Sequence, residues 1–297
     1  MRIHSFVMKG GKSYNRRKYR NEVSQVKHEV LYKTPKTLLN KGTGFLNGYS
    51  HTLNPYTGCT FACSYCYVRQ MPVSIFRNQE WGSWVDVKLE SAAILRKELK
   101  RAKSKGPVTI FMSSSTDPYQ PIEAKEEVTR ALLEAMVSEP PDFLLVQTRS
   151  PLVRRDIDLL QQLGARVRVS MTVETDREDI RKHFTPSAPP IQARLKSLEL
   201  LRDAGIPTQA AIAPVLPSTE AFPQILRPLV NRVCIDDYFM GDGSGGKRTK
   251  RLPVQALYEK LDLEEWYDPA AYQVVYDRFS RAFPQEQLFV SQKGFEP

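Results

Sequence analysis

Between residues 85 and 238 the chain switches back and forth between helical and strand patterns. Lys88 to Lys105 is patterned as a helix and stopped by Gly106-Pro107, after which Val108 to Ser113 runs as an apolar strand. Val128, Leu132 and Met136 then recur at helical spacing within Glu123 to Ser138, and Phe143 to Thr148 reads as the next strand. Ser150-Pro151 opens another helix, with Val153, Ile157 and Leu160 on one face and Gly164 at its end. Arg166 to Val173 alternates as a strand. Ile191, Leu195, Leu198 and Leu201 mark a helix ended by Gly205, and Thr208 to Val215 and Arg232 to Tyr238 are two further strands. With a strand near residues 50 to 56 the count is about six. Such alternation over short loops predicts an α/β fold, a parallel sheet with helices outside it. Past residue 253, helical spacing near Tyr272 to Phe279 and the apolar Leu288-Phe289-Val290 predict a helix and then a strand in a C-terminal appendage, residues 253–297.

Charge adds a feature that periodicity does not show. The net charge is +10, and residues 1–36 hold ten Lys or Arg (Arg2, Lys9, Lys12, Arg16, Arg17, Lys18, Arg20, Lys27, Lys33, Lys36) against Glu22 and Glu29. The main body, residues 37–240, is therefore nearly neutral, and the basicity belongs to an N-terminal arm. With Tyr14 and Tyr19 among its charges, the arm reads either as a contact to DNA or RNA or as a solubilising tail. A Gly-rich basic loop, residues 241–252, carries Lys247-Arg248-Thr249-Lys250-Arg251 and is placed to approach phosphate. At 297 residues and 41% hydrophobic content the chain can bury a full core. No run approaches the roughly 18 apolar residues of a membrane span, and the N-terminus lacks a signal-peptide pattern. The expectation is a cytoplasmic protein with no membrane contact.

Cys59, Cys63 and Cys66 stand at C-x3-C-x2-C spacing, followed by Tyr67. A [4Fe–4S] cluster held only by protein has four cysteine ligands, so three thiolates on one loop would leave one iron open to a substrate or cofactor. The spacing alone leaves zinc open as well, with His51 as a fourth ligand, although structural zinc sites usually show paired cysteines and Cys234 is alone. A disulfide framework does not fit four cysteines in 297 residues without a secretion signal.

The wider pattern carries a resemblance. Asn54-Pro55-Tyr56-Thr57-Gly58-Cys59 precedes the motif, Tyr67-Val68-Arg69 follows it, and Ser115-Thr116-Asp117-Pro118-Tyr119-Gln120-Pro121-Ile122-Glu123 comes later. Over roughly residues 35 to 240 the chain resembles the radical S-adenosylmethionine (SAM) superfamily, in the branch similar to spore photoproduct lyase. Phe61 departs from the pattern, since many members carry His there. The resemblance implies an incomplete (β/α)6 barrel, a [4Fe–4S] cluster on Cys59, Cys63 and Cys66, and SAM chelating the open iron. It also implies an electron donor such as flavodoxin or ferredoxin, and reductive cleavage of SAM to a 5′-deoxyadenosyl radical that abstracts hydrogen. By position, Thr116, Arg149 and Ser170 map to SAM-holding groups, with Tyr67 near the adenine. An arginine suits the methionyl carboxylate because its planar fork donates two parallel hydrogen bonds. Spore photoproduct lyase places a hydrogen-donating cysteine just after the second strand, and Ser114 stands close to that position here. A serine O–H is a far poorer hydrogen-atom donor than a thiol, so the resemblance guides fold and cofactor rather than substrate.

Three functions are consistent with these residues. The first is radical chemistry on nucleic acid. The second is radical modification of a peptide or small molecule. The third is a non-catalytic iron–sulfur protein that binds nucleic acid.

Overall fold

Seven strands lie side by side in parallel: β1 (His51–Leu53), β2 (Thr109–Met112), β3 (Phe143–Thr148), β4 (Val167–Thr172), β5 (Thr208–Ile212), β6 (Val233–Ile235) and β7 (Leu288–Val290). They are seen in a computed structural model that describes residues 28–297. A short antiparallel strand, Asn40–Lys41, adds to β1 at one edge, and β7 forms the other. The edges do not pair with each other, so the sheet is open.

Alternate residues of each strand face opposite ways. Ile110, Met112, Leu144, Val146, Val169, Met171, Ala210, Ile212, Val233 and Ile235 pack into the main core with helix residues such as Leu99, Leu132, Leu160, Leu198 and Phe279. The other face carries Phe111, Leu145, Ala211 and Cys234, packed with Tyr49 and Phe295. Ser170 shares that second face, registered between Gln147 of β3 and Gln209 of β5. One face is thus oily and helix-covered, and the other turns polar towards its strand ends.

The structure departs from the sequence reading in four places. The sheet has seven parallel strands rather than six, and the seventh comes from the C-terminal segment expected as an appendage. Val275, Phe279, Phe283 and Leu288 of that segment lie in the main core.

The helix expected from Glu123 to Ser138 is two helices, Glu123–Glu126 and Val128–Ser138, broken at Glu127 with φ +51°. The buried Glu123 carboxylate accepts from Thr129 N at 2.9 Å and Arg130 N at 3.2 Å, which caps the second helix from inside the first.

Lys88 ends a strand, Trp84–Lys88, and the helix begins only at Ser91. Lys88 Nζ instead donates to Asn54 O at 2.6 Å.

Finally, most of the expected arm, residues 1–27, lies outside the described residues. Its last part does not remain an arm: Glu29–Lys33 pairs in parallel with Trp84–Lys88, which also pairs with Tyr56–Thr57. Val30 and Tyr32 suit that pleated edge. Among the described residues no helix is long and apolar enough to cross a membrane.

Candidate cofactor site

The three motif cysteines lie on the loop that follows β1. Gly58 opens this loop at φ +86°, where a Cβ would stand 2.6 Å from Trp84 O, so glycine is required by both conformation and space. Beyond it, Cys59 O accepts from Ala62 N at 3.3 Å and Cys63 O accepts from Cys66 N at 3.2 Å, winding the chain in successive turns. Arg69 locks these turns by donating through Nε to Cys63 O at 3.0 Å and through Nη2 to Ala62 O at 2.8 Å. Gln120 ties in the second strand end, accepting from Thr60 N at 3.0 Å and donating to Gly58 O at 3.1 Å. Phe61, the departure from the family pattern, is buried in the cluster that contains Cys59, Cys63 and Trp84.

All three thiols are free; Cys59 and Cys63 are buried and Cys66 is partly buried. Burial pushes each thiol upward, Cys66 to about 11. At Cys63 the Arg149 guanidinium works against burial. An uncompensated thiolate would be costly here, and bound metal cations would supply the compensating charge. Among the described residues no three His, Cys, Asp or Glu side chains converge as one ion would require. Three thiols on one loop are a soft donor set, the chemistry that iron–sulfur groups take.

Arg149 follows β3. Its Nη1 donates to Cys63 Sγ at 3.1 Å, Tyr65 Oη at 2.9 Å and Glu174 Oε1 at 2.6 Å. Arg194, fully buried on the helix Ile191–Asp203, donates to Glu174 Oε2 at 2.6 Å. Burial would raise the Glu174 carboxyl, but Arg194 and Arg149 outweigh it and hold it at about 2. Asp117 sets the position of Arg149, accepting from Arg149 N at 2.9 Å, Thr148 Oγ1 at 2.7 Å and Tyr119 N at 2.9 Å. The ends of β2 and β3 are thus fastened to each other.

The other expected cofactor-binding residues divide. Thr116 Oγ1 donates to Gly58 O at 2.6 Å, against the cysteine loop, and the Tyr67 hydroxyl donates to Ser114 O. Ser170 is fully buried within β4 and accepts from Gln209 Nε2 at 2.9 Å, away from the hydrogen bonds that tie the loop. Residue-type reasoning missed Tyr65 and Arg194, and it gave Glu174 no partner; only the packing reveals that pairing. It also missed Asp236, just past β6, whose carboxyl accepts from Asp237 N at 2.9 Å. Burial pushes Asp236 up to about 7, with Asp237 and Asp242 adding like-charge repulsion. Ser113, at the end of β2, has φ +79° and a buried hydroxyl without a partner, a local strain of the kind found at functional sites.

Comparison with known proteins agrees with this geometry. The sequence model of the radical SAM superfamily matches residues 53–227. An uncharacterized protein of Methanocaldococcus jannaschii is 34% identical over 170 residues, covering 57% of this chain and 62% of that protein. A radical SAM Nα-GlyT isomerase of Pseudomonas phage M6 is 32% identical over 166 residues, 55% of this chain and 32% of that protein. The chain thus spans less than two thirds of the length of either relative. Among solved structures, spore photoproduct lyase complexed with dinucleoside spore photoproduct superposes with a TM-score of 0.61 at 17% identity, over 90% of this chain and 82% of that one. At that identity the likeness shows the shared α/β fold with its mostly parallel sheet. The family match covers more than half of the chain and spans the cysteine loop, so the chain belongs to the radical SAM superfamily, whose enzymes use a [4Fe–4S] cluster and SAM.

Proposed function

We propose that this radical SAM enzyme acts on nucleic acid. The observation that carries the substrate class is charge: residues 1–27 hold eight Lys or Arg against one acid, and Lys247, Lys250 and Arg251 are exposed on a loop packed beside Tyr67–Gln70. The dinucleoside held by the structural neighbour points the same way. We read the open sheet as an incomplete barrel with its site at the C-terminal strand ends, where loops converge.

In this reading Cys59, Cys63 and Cys66 hold the cluster, and Tyr67, Thr116 and Arg149 line the SAM site beside it. Arg149 keeps Cys63 and Glu174 in register while presenting its remaining donors to the methionyl carboxylate. Ser170, fully buried within β4 and bonded to Gln209, is the deepest of the four residues assigned to SAM. Bound there, a reduced cluster would supply the one electron needed for reductive cleavage of SAM to the hydrogen-abstracting 5′-deoxyadenosyl radical. A low-potential donor such as flavodoxin or ferredoxin fits that need, as does a reducing cytoplasm. Close packing of the loop by Phe61, Trp84 and Tyr65 keeps water away from Cys59 and Cys63. Ser114 stands close to where spore photoproduct lyase carries its hydrogen-donating cysteine, and a serine O–H is a poor hydrogen-atom donor, so thymine-dimer reversal is not the proposed reaction.

The test is anaerobic reconstitution with dithionite and SAM, followed by product analysis with oligonucleotides and with peptides. Oligonucleotide-stimulated release of 5′-deoxyadenosine together with an altered nucleoside supports the proposal. Stimulation by peptide alone overturns the substrate class and leaves the cofactor chemistry standing.

A further inference from the structure

Phe76 is 84% exposed and its neighbour Ile75 is 54% exposed. They end the short helix Pro72–Ile75, whose Val73 packs into the same hydrophobic cluster as Cys66, Tyr67 and Leu252. Single exposed apolar residues are ordinary. An adjacent pair, with the ring almost wholly in solvent beside the cysteine loop, is not explained by packing.

What flanks the pair says what covers it. On one side the described chain begins: Glu29 N donates to Ser83 O at 2.9 Å, and Gln79 donates to the Glu29 carboxylate. The described chain thus begins against Ser83 and Gln79, close in sequence to Phe76, and residues 1–27, which precede it, hold eight Lys or Arg. On the other side Thr249–Arg251 packs against Tyr67–Gln70, and Lys247, Lys250 and Arg251 are exposed. Arg248 is tied back to Asp242 O at 2.7 Å, which fixes the loop without using those three cations. Across residues 67–83 the single acid is Glu80, and both arginines are engaged: Arg69 on the cysteine loop, Arg77 on Asp86. An exposed, unstacked aromatic on a helix beside Tyr67–Gln70, against which a loop with three exposed cations packs, is the composition of a single-strand nucleic-acid surface, in which cations track phosphates and a ring stacks on a base.

Resting on the nucleic-acid reading above, we infer that Phe76 is a base-stacking platform. With Ile75 beside it, Phe76 forms a nucleic-acid-binding rim between the start of the described chain and the loop Lys247–Arg251. This rim would hold the strand next to the cysteine loop rather than merely near the protein.

The test uses full-length protein and a fluorescein-labelled single-stranded oligonucleotide, titrated over a range of salt. Phe76→Ala should weaken binding about 5- to 150-fold, the span of one base stack removed, with the salt slope unchanged. Phe76→Trp should restore affinity. Lys250→Ala with Arg251→Ala should lower the log–log salt slope by about 1.4, roughly 0.7 for each single-strand phosphate released. Because Phe76 is exposed, its replacement leaves the fold intact, and an unchanged thermal midpoint verifies this. Wild-type affinity in Phe76→Ala, with tight salt-dependent binding retained, would overturn the platform and leave the nucleic-acid reading standing. If the wild type bound no oligonucleotide at all, that reading would fall as well. If Phe76→Ala left oligonucleotide binding untouched but slowed reduction by a flavodoxin, the rim would belong to a protein partner.

Discussion

Arg149 Nη1 stands 3.1 Å from Cys63 Sγ and 2.6 Å from Glu174 Oε1, so one guanidinium bridges a cysteine of the motif and a buried carboxylate 111 positions further along the chain. Glu174 is in turn held by Arg194 at 2.6 Å. Two arginines around one carboxylate leave a net positive charge, which suits thiolates that burial alone would keep protonated.

The cysteine loop gives the first prediction. Reconstituted protein should bind about four irons and four sulfides, and Cys59→Ala, Cys63→Ala or Cys66→Ala should abolish the chromophore. Cys234→Ala should keep it, because Cys234 packs beside Gly294 and Phe295, away from the loop. Iron analysis and the visible absorption band check this; loss of the cluster in Cys234→Ala alone would refute the open-iron arrangement.

Arg149 and Ser170 should behave differently. Arg149→Ala removes a charged hydrogen-bond donor and leaves Glu174 with one partner, and SAM binding should weaken by roughly 1–3 kcal/mol. Ser170→Ala strips a hydroxyl that already has Gln209, so its effect should be smaller. Equilibrium binding of SAM to both variants decides, and an unaltered affinity in Arg149→Ala would displace the cofactor from this wall.

Two carboxyls give opposite pH dependences. Glu174 is held at about 2, below its unfolded value of roughly 4.3. Its contribution to stability is therefore present above pH ~4.3 and is lost as pH falls towards 2. Asp236 is raised to about 7, so its contribution is complete below its unfolded value of roughly 3.9 and is lost as pH rises through 7. Asp236→Asn should remove that loss, stabilising the protein by up to a few kcal/mol at pH 8 and little at pH 4. Denaturant midpoints of wild type and variant at the two pH values measure it; an equal difference at both would show that Asp236 does not titrate in this range.

The arm should contribute affinity and no chemistry. A protein beginning at residue 28 keeps the strand Glu29–Lys33, which a cut near residue 37 would remove. It should retain cluster and SAM cleavage while losing most duplex affinity, with a slope that falls by about 0.9 for each phosphate the arm no longer neutralises. Salt-titrated binding of the two lengths tests this, and equal slopes would make the arm a solubilising tail.

The amino-acid order alone determined the local units. The spacing of Cys59, Cys63 and Cys66 is a property of adjacent residues, and β3 was legible to its ends because Phe143–Thr148 is an unbroken run between turn signals. The tertiary structure decided what depends on distant partners. Val128, Leu132 and Met136 signal one helix, yet a buried glutamate breaks it at Glu127 by offering its carboxylate to the next turn. Leu288–Val290 reads as a strand of unknown neighbour, and only core packing sets it beside β6. Arg149 is visible as a basic residue after a strand, but its tie to Cys63, Tyr65, Glu174 and Arg194 joins four separated segments. Periodicity records which face of an element is apolar; it does not record which charge from another element will meet it across the site.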